Sequence, residues 1–276
     1  MMSATQKEKG ERFLALHQGP GTFVIANPWD IGSAKILEGM GFPALATSSA
    51  ASAMTMGKKD GTLSREQALE HAREIAGATG VPVSADLENG FGDAPETVAE
   101  TVRLAGEAGL AGCTIEDSNR NAEKPVYDLE FAAERITAGV KAARRLGFPF
   151  LLTARAHNLL YANPSVDEAI RRLQAYERAG ADVLFAPGLP DLAAVRRVCG
   201  ALSKPFNFMV GLKGKSFSVR ELADAGVRRI SLATSLYRAA MTGLVEAAHE
   251  VMDVGSFGYM ERGVPTVDLL KLMKIQ

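Results

Sequence analysis
The chain is 276 residues long, with 31 basic and 32 acidic side chains and a net charge of -1. This balance removes any electrostatic reason to expect nucleic acid or an anionic membrane as partner, and leaves a small molecule as the expected ligand. Hydrophobic residues make up 47% and aromatics 7%, enough for one large α/β barrel or two average cores.

In chain order, the opening "MMSATQKEKGERF" carries charges without a following apolar segment. No later stretch approaches the roughly 18 uninterrupted apolar residues of a membrane span, so a cytoplasmic protein is expected. Cys113 and Cys199 fit no CxxC or zinc-type spacing and cannot form a disulfide framework; both read as small buried apolar residues.

Short apolar, β-branched runs then recur at 22–27, 44–49, 82–88, 112–117, 149–155, 182–188, 205–211 and 228–235. Helical periodicity fills 31–40, 64–79, 94–108, 128–146, 165–179, 191–202, 218–225 and 236–252, and several of these stretches end in a Gly before a new run, as in "GATGVPV" and "ERAGADVL". The alternation predicts right-handed βαβ units and a parallel sheet. Eight units in this length predict a closed (β/α)8 TIM barrel over 1–252. An open doubly wound sheet would carry G-x-G-x-x-G after its first strand, which is missing here. Residues 253–276, a Gly-rich break and a short amphipathic helix, read as an extension packing on the barrel or on a neighbouring subunit.

In a parallel barrel the active site collects where the strands end. The runs end in Asn27, Trp29 and Asp30; Thr47, Ser48 and Ser49; Asp86 and Glu88; Glu116 and Asp117; and Arg155, His157 and Asn158, while Asn207 lies on the seventh run. Trp29 and Asn207 are therefore candidate substrate contacts. Asp86 and Glu88 are two apart and share a face on an extended strand, where Glu116 can join them. Three carboxylates without a cation repel one another, whereas Mg²⁺, or Mn²⁺ in its place, takes such oxygen ligands. Arg155 can grip a substrate carboxylate or pair with Glu116, and His157 is either a general base or a rim hydrogen-bonder. The small residues after Thr47 leave room for backbone N–H groups and the hydroxyls of Ser48 and Ser49 to surround a carboxylate. Asp93 reads as the cap of the next helix. Lys58 and Lys59 read as solvated, and His17, His71 and His249 as surface residues.

Three elements together resemble the isocitrate lyase/phosphoenolpyruvate mutase superfamily: Asp86-Leu87-Glu88-Asn89-Gly90-Phe91-Gly92, the "IED" at 115–117 and "TARAHN" at 153–158. The resemblance spans most of the chain. It implies a metal bound directly at Asp86 and through water at Glu88 and Glu116, a substrate carboxylate held by Ser48, Ser49 and the backbone at Ala50, with Arg155 opposite, and an acid at Asp60 near the reacting centre. It also implies a homo-oligomer, dimer or tetramer, whose last barrel helix is exchanged between subunits.

Two departures narrow the activity. Glu88 stands where the family usually has Asp, and the Cys-bearing K-[KR]-C-G-H loop of the carbon-carbon lyases is replaced by "EDSNRNAEKPVYD", where Asn119, Arg120 and Asn121 are the local candidates for a gating loop. The expected activity is a Mg²⁺-dependent lyase cleaving a carbon-carbon bond of a small α-keto or α-hydroxy (di)carboxylic acid through an enolate. Phosphorus-carbon chemistry on a phosphonopyruvate-type substrate and a non-catalytic oxo-acid-binding barrel are the alternatives.

Overall fold
The computed structural model describes residues 4–275 except 120, 162, 163 and 216. Eight short parallel strands follow one another around a ring: β1 (Phe23–Ile25), β2 (Leu45–Ala46), β3 (Val83–Asp86), β4 (Gly112–Glu116), β5 (Leu151–Arg155), β6 (Val183–Phe185), β7 (Phe206–Met209) and β8 (Arg229–Ser231). Each pairs with its sequence neighbour, and β8 pairs with β1 through Phe23–Arg229, Val24–Ile230 and Ile25–Ser231. The ring closes between β1 and β2 by a single parallel bridge, Ala26–Leu45. The architecture is the expected (β/α)8 barrel.

The helices are α1 (Gln6–Gln18), α2 (Ile31–Gly39), α3 (Ser49–Thr55), α4 (Arg65–Ala78), α5 (Pro95–Glu107), α6 (Leu129–Arg144), α7 (Val166–Arg178), α8 (Leu192–Gly200), α9 (Val219–Asp224), α10 (Ser235–His249) and α11 (Thr266–Leu272). The main core lies between strands and outer helices, where strand residues that point away from the bore, such as Val83, Ile115 and Leu152, meet helix residues such as Val98, Ile136 and Leu173. A second cluster, Phe13, Ile25, Ala44, Ala111, Leu151 and Val183, packs α1 against the strand beginnings. Helix α1 thus plugs the barrel at the end opposite the expected site. It lies outside the predicted helices, although Thr5 and Glu8 form a capping box at its start.

That plug overturns one expectation. His17 is buried, not exposed: it sits edge-on to Phe13 and Phe23, and its Nδ1 lies 2.7 Å from the Phe13 carbonyl. His71 is buried too, between the Ser52 hydroxyl at 3.0 Å and the Trp29 carbonyl at 2.8 Å. His249 alone of the three is exposed, paired with Asp253.

At the other end of the chain, α11 folds back on α2, so closely that a Cβ at Gly39 would meet the Leu272 carbonyl oxygen at 1.9 Å. Helix α10 buries none of its residues. Among the described residues no helix is long and apolar enough to cross a membrane.

Candidate functional site
At the carboxyl ends of the strands a cavity of about 410 Å³ opens. Six strand ends build its wall, those of β7 and β8 through Met209 and Ala233. Asp86 closes β3, Glu116 closes β4 and Arg155 closes β5, with Glu116 and Arg155 direct register partners. The fourth contribution comes after β2, where Ser48 caps α3 and the Ser49 hydroxyl donates to Asp86 Oδ2 at 3.2 Å. This segment, expected to be a link of small residues, is a helix whose first turn carries Ser49 and Ala50 to the cavity.

Arg155 sits between the acids, its Nη1 3.3 Å from Glu116 Oε2 and 3.8 Å from Asp86 Oδ2. Its guanidinium also lies over the Phe185 ring, 5.0 Å from the centroid. His157 Nδ1 stands 3.0 Å from the same Glu116 oxygen. Arg155 thus pairs with Glu116 while it lines the cavity. Burial raises the Asp86 pKa above the usual carboxylate range; Arg155 opposes this, while Glu116 and Asp60 push further in the same direction.

Glu88 reaches the cavity by a different route from the one expected. β3 stops at Asp86, so period-two alternation does not extend to Glu88; a left-handed backbone, φ 51°, turns it to the same cavity. Phe91 (φ 63°) and Ala233 (φ 47°) are left-handed as well, and Ala233 also lines the cavity. Non-glycine residues held in this region cost roughly 1–3 kcal/mol each and cluster at functional sites.

Of the remaining candidates, Asp60 lines the mouth. Trp29 lines a separate groove with Ile36, Leu236 and Met273 and packs edge-on against Tyr237. Asn207 lies deeper in the barrel bore, donating to Ser231 and accepting from Arg229. Asn119 and Asn121 fasten their own hairpin, Asn119 Oδ1 accepting from the Asn121 N–H and Asn121 Oδ1 from the Glu123 N–H; Arg120 lies outside the described residues. Asp93 is not a cap. Ala94 holds the N-cap position of α5 without a side-chain bond, and Asp93 accepts from the Tyr127 hydroxyl at 2.5 Å.

Two buried arginines missed in the sequence hold the acid-bearing loops. Arg135, from the middle of α6, donates to the carbonyls of Asn89, Gly92 (2.7 Å), Asp93 (2.8 Å) and Glu116 (3.4 Å), and stacks on Tyr127 at 4.2 Å. Arg172, from α7, binds Asp117 at 3.0 Å and the Tyr127 carbonyl at 2.9 Å. The signal was present: each sits within its helix's apolar stripe, at a position where a long cation is buried only if it has partners.

The cavity suits a hard cation. Its donors are the oxygens of Asp86, Glu88, Glu116 and Ser49, the kind Mg²⁺ and Mn²⁺ take. Among the described residues no three His, Cys, Asp or Glu groups already surround one point.

A parallel barrel with an acidic, arginine-bearing rim at its strand ends defines the class, a (β/α)8 fold with a small-molecule site. The sequence profile of phosphoenolpyruvate phosphomutase matches residues 13–252, and the chain belongs to that family, whose members include lyases and mutases. It is 31% identical to the oxaloacetate decarboxylase of Bradyrhizobium diazoefficiens, over 72% of this chain and 70% of that one. It is likewise 31% identical to the 2-methylisocitrate lyase of Escherichia coli, over 68% of this chain and 64% of that one. A Burkholderia cenocepacia crystal structure, provisionally described as a lyase/mutase, superposes with a TM-score of 0.94 at 48% identity, covering 96% of this chain and 95% of that one.

Proposed function
We propose that the protein is a Mg²⁺-dependent lyase that cleaves a carbon-carbon bond of a small α-keto or α-hydroxy (di)carboxylic acid, leaving an enolate fragment. The observation that carries this reading is the meeting of Asp86, Glu88, Glu116 and Arg155 on one cavity. Bound there, Mg²⁺, or Mn²⁺ in its place, would supply Lewis-acid stabilisation of charge developing on the substrate's C2 oxygen. Asp86 is the direct ligand in this reading; Glu88 and Glu116 act through water.

The chain's own groups do the rest. The hydroxyls of Ser48 and Ser49 and the backbone N–H at Ala50 hold the C1 carboxylate, and Arg155 braces the opposite side and stabilises the enolate oxygen. Glu116 keeps Arg155 and His157 in place. Asp60, at the mouth, is the acid that can deliver a proton to the carbon left as an enolate. Decarboxylation suits this set best, because a leaving CO₂ needs no protonation.

Arg155 is the sole lysine or arginine among the described residues lining the cavity. Even with Arg120, which lies outside the described residues, that is a thin supply for the trianion that phosphorus-carbon chemistry would bring. Turnover decides. Oxaloacetate, methylisocitrate, isocitrate, dimethylmalate and phosphonopyruvate are offered with Mg²⁺ or with EDTA, to wild type and to Asp86→Ala. Release of CO₂ or an oxo acid that needs both the metal and Asp86 is expected. No turnover, with Mg²⁺-dependent oxo-acid binding retained, would instead make this a binding barrel.

We also infer a homo-oligomer. Helix α10 carries Leu244 (61% exposed) and Val245, and the turn after it carries Met252 (81%), Val254 and Phe257, all open to solvent in one chain. Apolar surface of this extent marks an interface, and exchange of α10 between subunits would cover it. Light scattering should give a dimer or tetramer, and Leu244→Glu with Met252→Glu should shift it to monomer. A monomeric wild type would end this reading.

A further inference from the structure
Below the acid rim the bore of the barrel continues as a cavity of about 60 Å³. Its charged lining residues are one carboxylate, Asp86, and two guanidiniums, Arg155 and Arg229. Glu116 and Asp86 answer Arg155 from the rim.

Arg229, at the start of β8, is 3% exposed, and its partners are neutral. Nε donates to Asn207 Oδ1 at 2.7 Å and Nη2 to Thr153 Oγ1 at 3.1 Å, while Nη1 faces His17 Nε2 at 3.4 Å. The His17 ring lends no negative charge: Nδ1 donates to the Phe13 carbonyl, which makes Nε2 the lone-pair acceptor of a neutral imidazole. Burial lowers the Arg229 pKa to about 9, with no carboxylate offsetting it. An isolated buried charge is expensive unless it is paired.

The space beside Arg229 is built to receive a counter-charge. One N–H on each Nη is uncommitted. Asn207 Nδ2 donates to the Ser231 oxygen at 3.0 Å, which leaves the Ser231 hydroxyl proton free to turn into the cavity, and the hydroxyls of Ser84 and Thr114 line it as well. Its volume is several times the roughly 10–15 Å³ that one water needs. Arg155 is matched by Glu116 and Asp86, so the unmatched charge of the bore is the single positive charge of Arg229, which one monovalent anion balances.

We propose that the lower bore is a binding site for one small monovalent anion of the halide class, seated on the Arg229 guanidinium and the Ser231 hydroxyl. The proposal does not rest on the reaction proposed for the rim, although Ser48, Asp86 and Arg155 line both cavities. Its role is to neutralise a cation that braces β5, β7 and β8 to α1.

Bromide and chloride test it on the wild-type protein. Crystals grown in sodium bromide should show a bromine anomalous peak in the bore within about 3.5 Å of the Arg229 guanidinium, a normal charge-assisted contact with allowance for the larger ion. The unfolding midpoint should rise saturably with sodium chloride, by about 3 °C at ten times the dissociation constant, and stay flat with sodium gluconate at equal ionic strength. Arg229→Met should abolish the difference between the two salts; if that variant does not fold, the bromide crystal alone decides. Water without bromine density in the bore, or coincident chloride and gluconate curves, would overturn the proposal.

Discussion
Glu116 and Asp117 are consecutive residues at the end of one strand, and the fold treats them in opposite ways. Glu116 turns into the cavity, where Arg155 and His157 approach it from one side. Asp117 turns outward, between the barrel and its helices, where it is 2% exposed and accepts from the His157 N–H at 2.8 Å, from Arg172 at 3.0 Å and from the Tyr176 hydroxyl at 2.5 Å. Asp117 and Arg135 form a frame whose polar groups are matched within the protein. Asp86, Glu116 and Arg155 form a rim whose charge is left facing a cavity. A buried ionic network of the first kind fixes geometry, and a set of the second kind has free energy to release when a ligand arrives.

The largest effect that separates the two regions is on stability. Asp117→Ala takes from Arg172 its buried carboxylate, leaving it only the partly exposed Glu168 at 2.9 Å, and removing one partner of a buried pair costs about 3–5 kcal/mol. Urea unfolding should show that loss. A loss under about 1 kcal/mol would mean that the frame is not a frame.

Next comes the mirror experiment at the rim. Asp86→Ala should lower kcat by about 10²–10³-fold or more, the scale expected when a preorganised charge at the reacting centre is removed. The same variant should leave the urea midpoint nearly unchanged, because Arg155 keeps Glu116, its closer partner. If it destabilised the fold as much as Asp117→Ala, the contrast between rim and frame would collapse.

Tyr176→Phe sharpens the comparison at single-bond level. It removes one hydroxyl from Asp117 and leaves Arg172 and the His157 N–H in place, so a loss of about 1.5–3 kcal/mol, that of a hydrogen bond to a charged group, is expected. Activity should fall by far less than in Asp86→Ala.

The rim was more legible in the sequence than the frame, for a physical reason. Asp86, Glu116 and Arg155 each follow an apolar run, and a polar residue ending a barrel strand faces the mouth wherever the helices pack. Trp29 and Asn207 show the limit of that rule: the first lies past its strand in a loop that turns away, and the second lies inside β7 and faces the bore. The partners of frame residues come from distant helices, so nothing local to Asp93 or Asp117 announced Tyr127 or Arg172. The helix stripes did hold half of the information, since Arg135 shares a face with Ala132, Ile136 and Gly139, and Arg172 with Ala169, Leu173 and Tyr176. Likewise, periodicity alone did not separate α1 from a surface segment, because its outer face is highly charged and its plug role depends on the barrel it closes.

The smallest predicted effect lies at the barrel's closed end and extends the comparison to a group that is buried neutral. His17 has its pKa lowered from 6.5 to about 3, first by burial and then by the charge of Arg229. Between those values the unfolded chain binds a proton that the folded chain refuses, so unfolding gains and stability falls as pH drops below about 6.5. At pH 5 this single site costs about 2 kcal/mol relative to neutral pH. The loss continues toward pH 3, where the folded ring also protonates. His17→Gln keeps an oxygen facing Arg229 but has nothing to titrate. The difference in urea midpoint between wild type and this variant should therefore narrow by the equivalent of about 2 kcal/mol from pH 7 to pH 5, as the wild type alone loses the site's contribution. A constant difference across that range would show that the ring is reached by solvent and protonates in place, and that the plug at this end of the barrel opens.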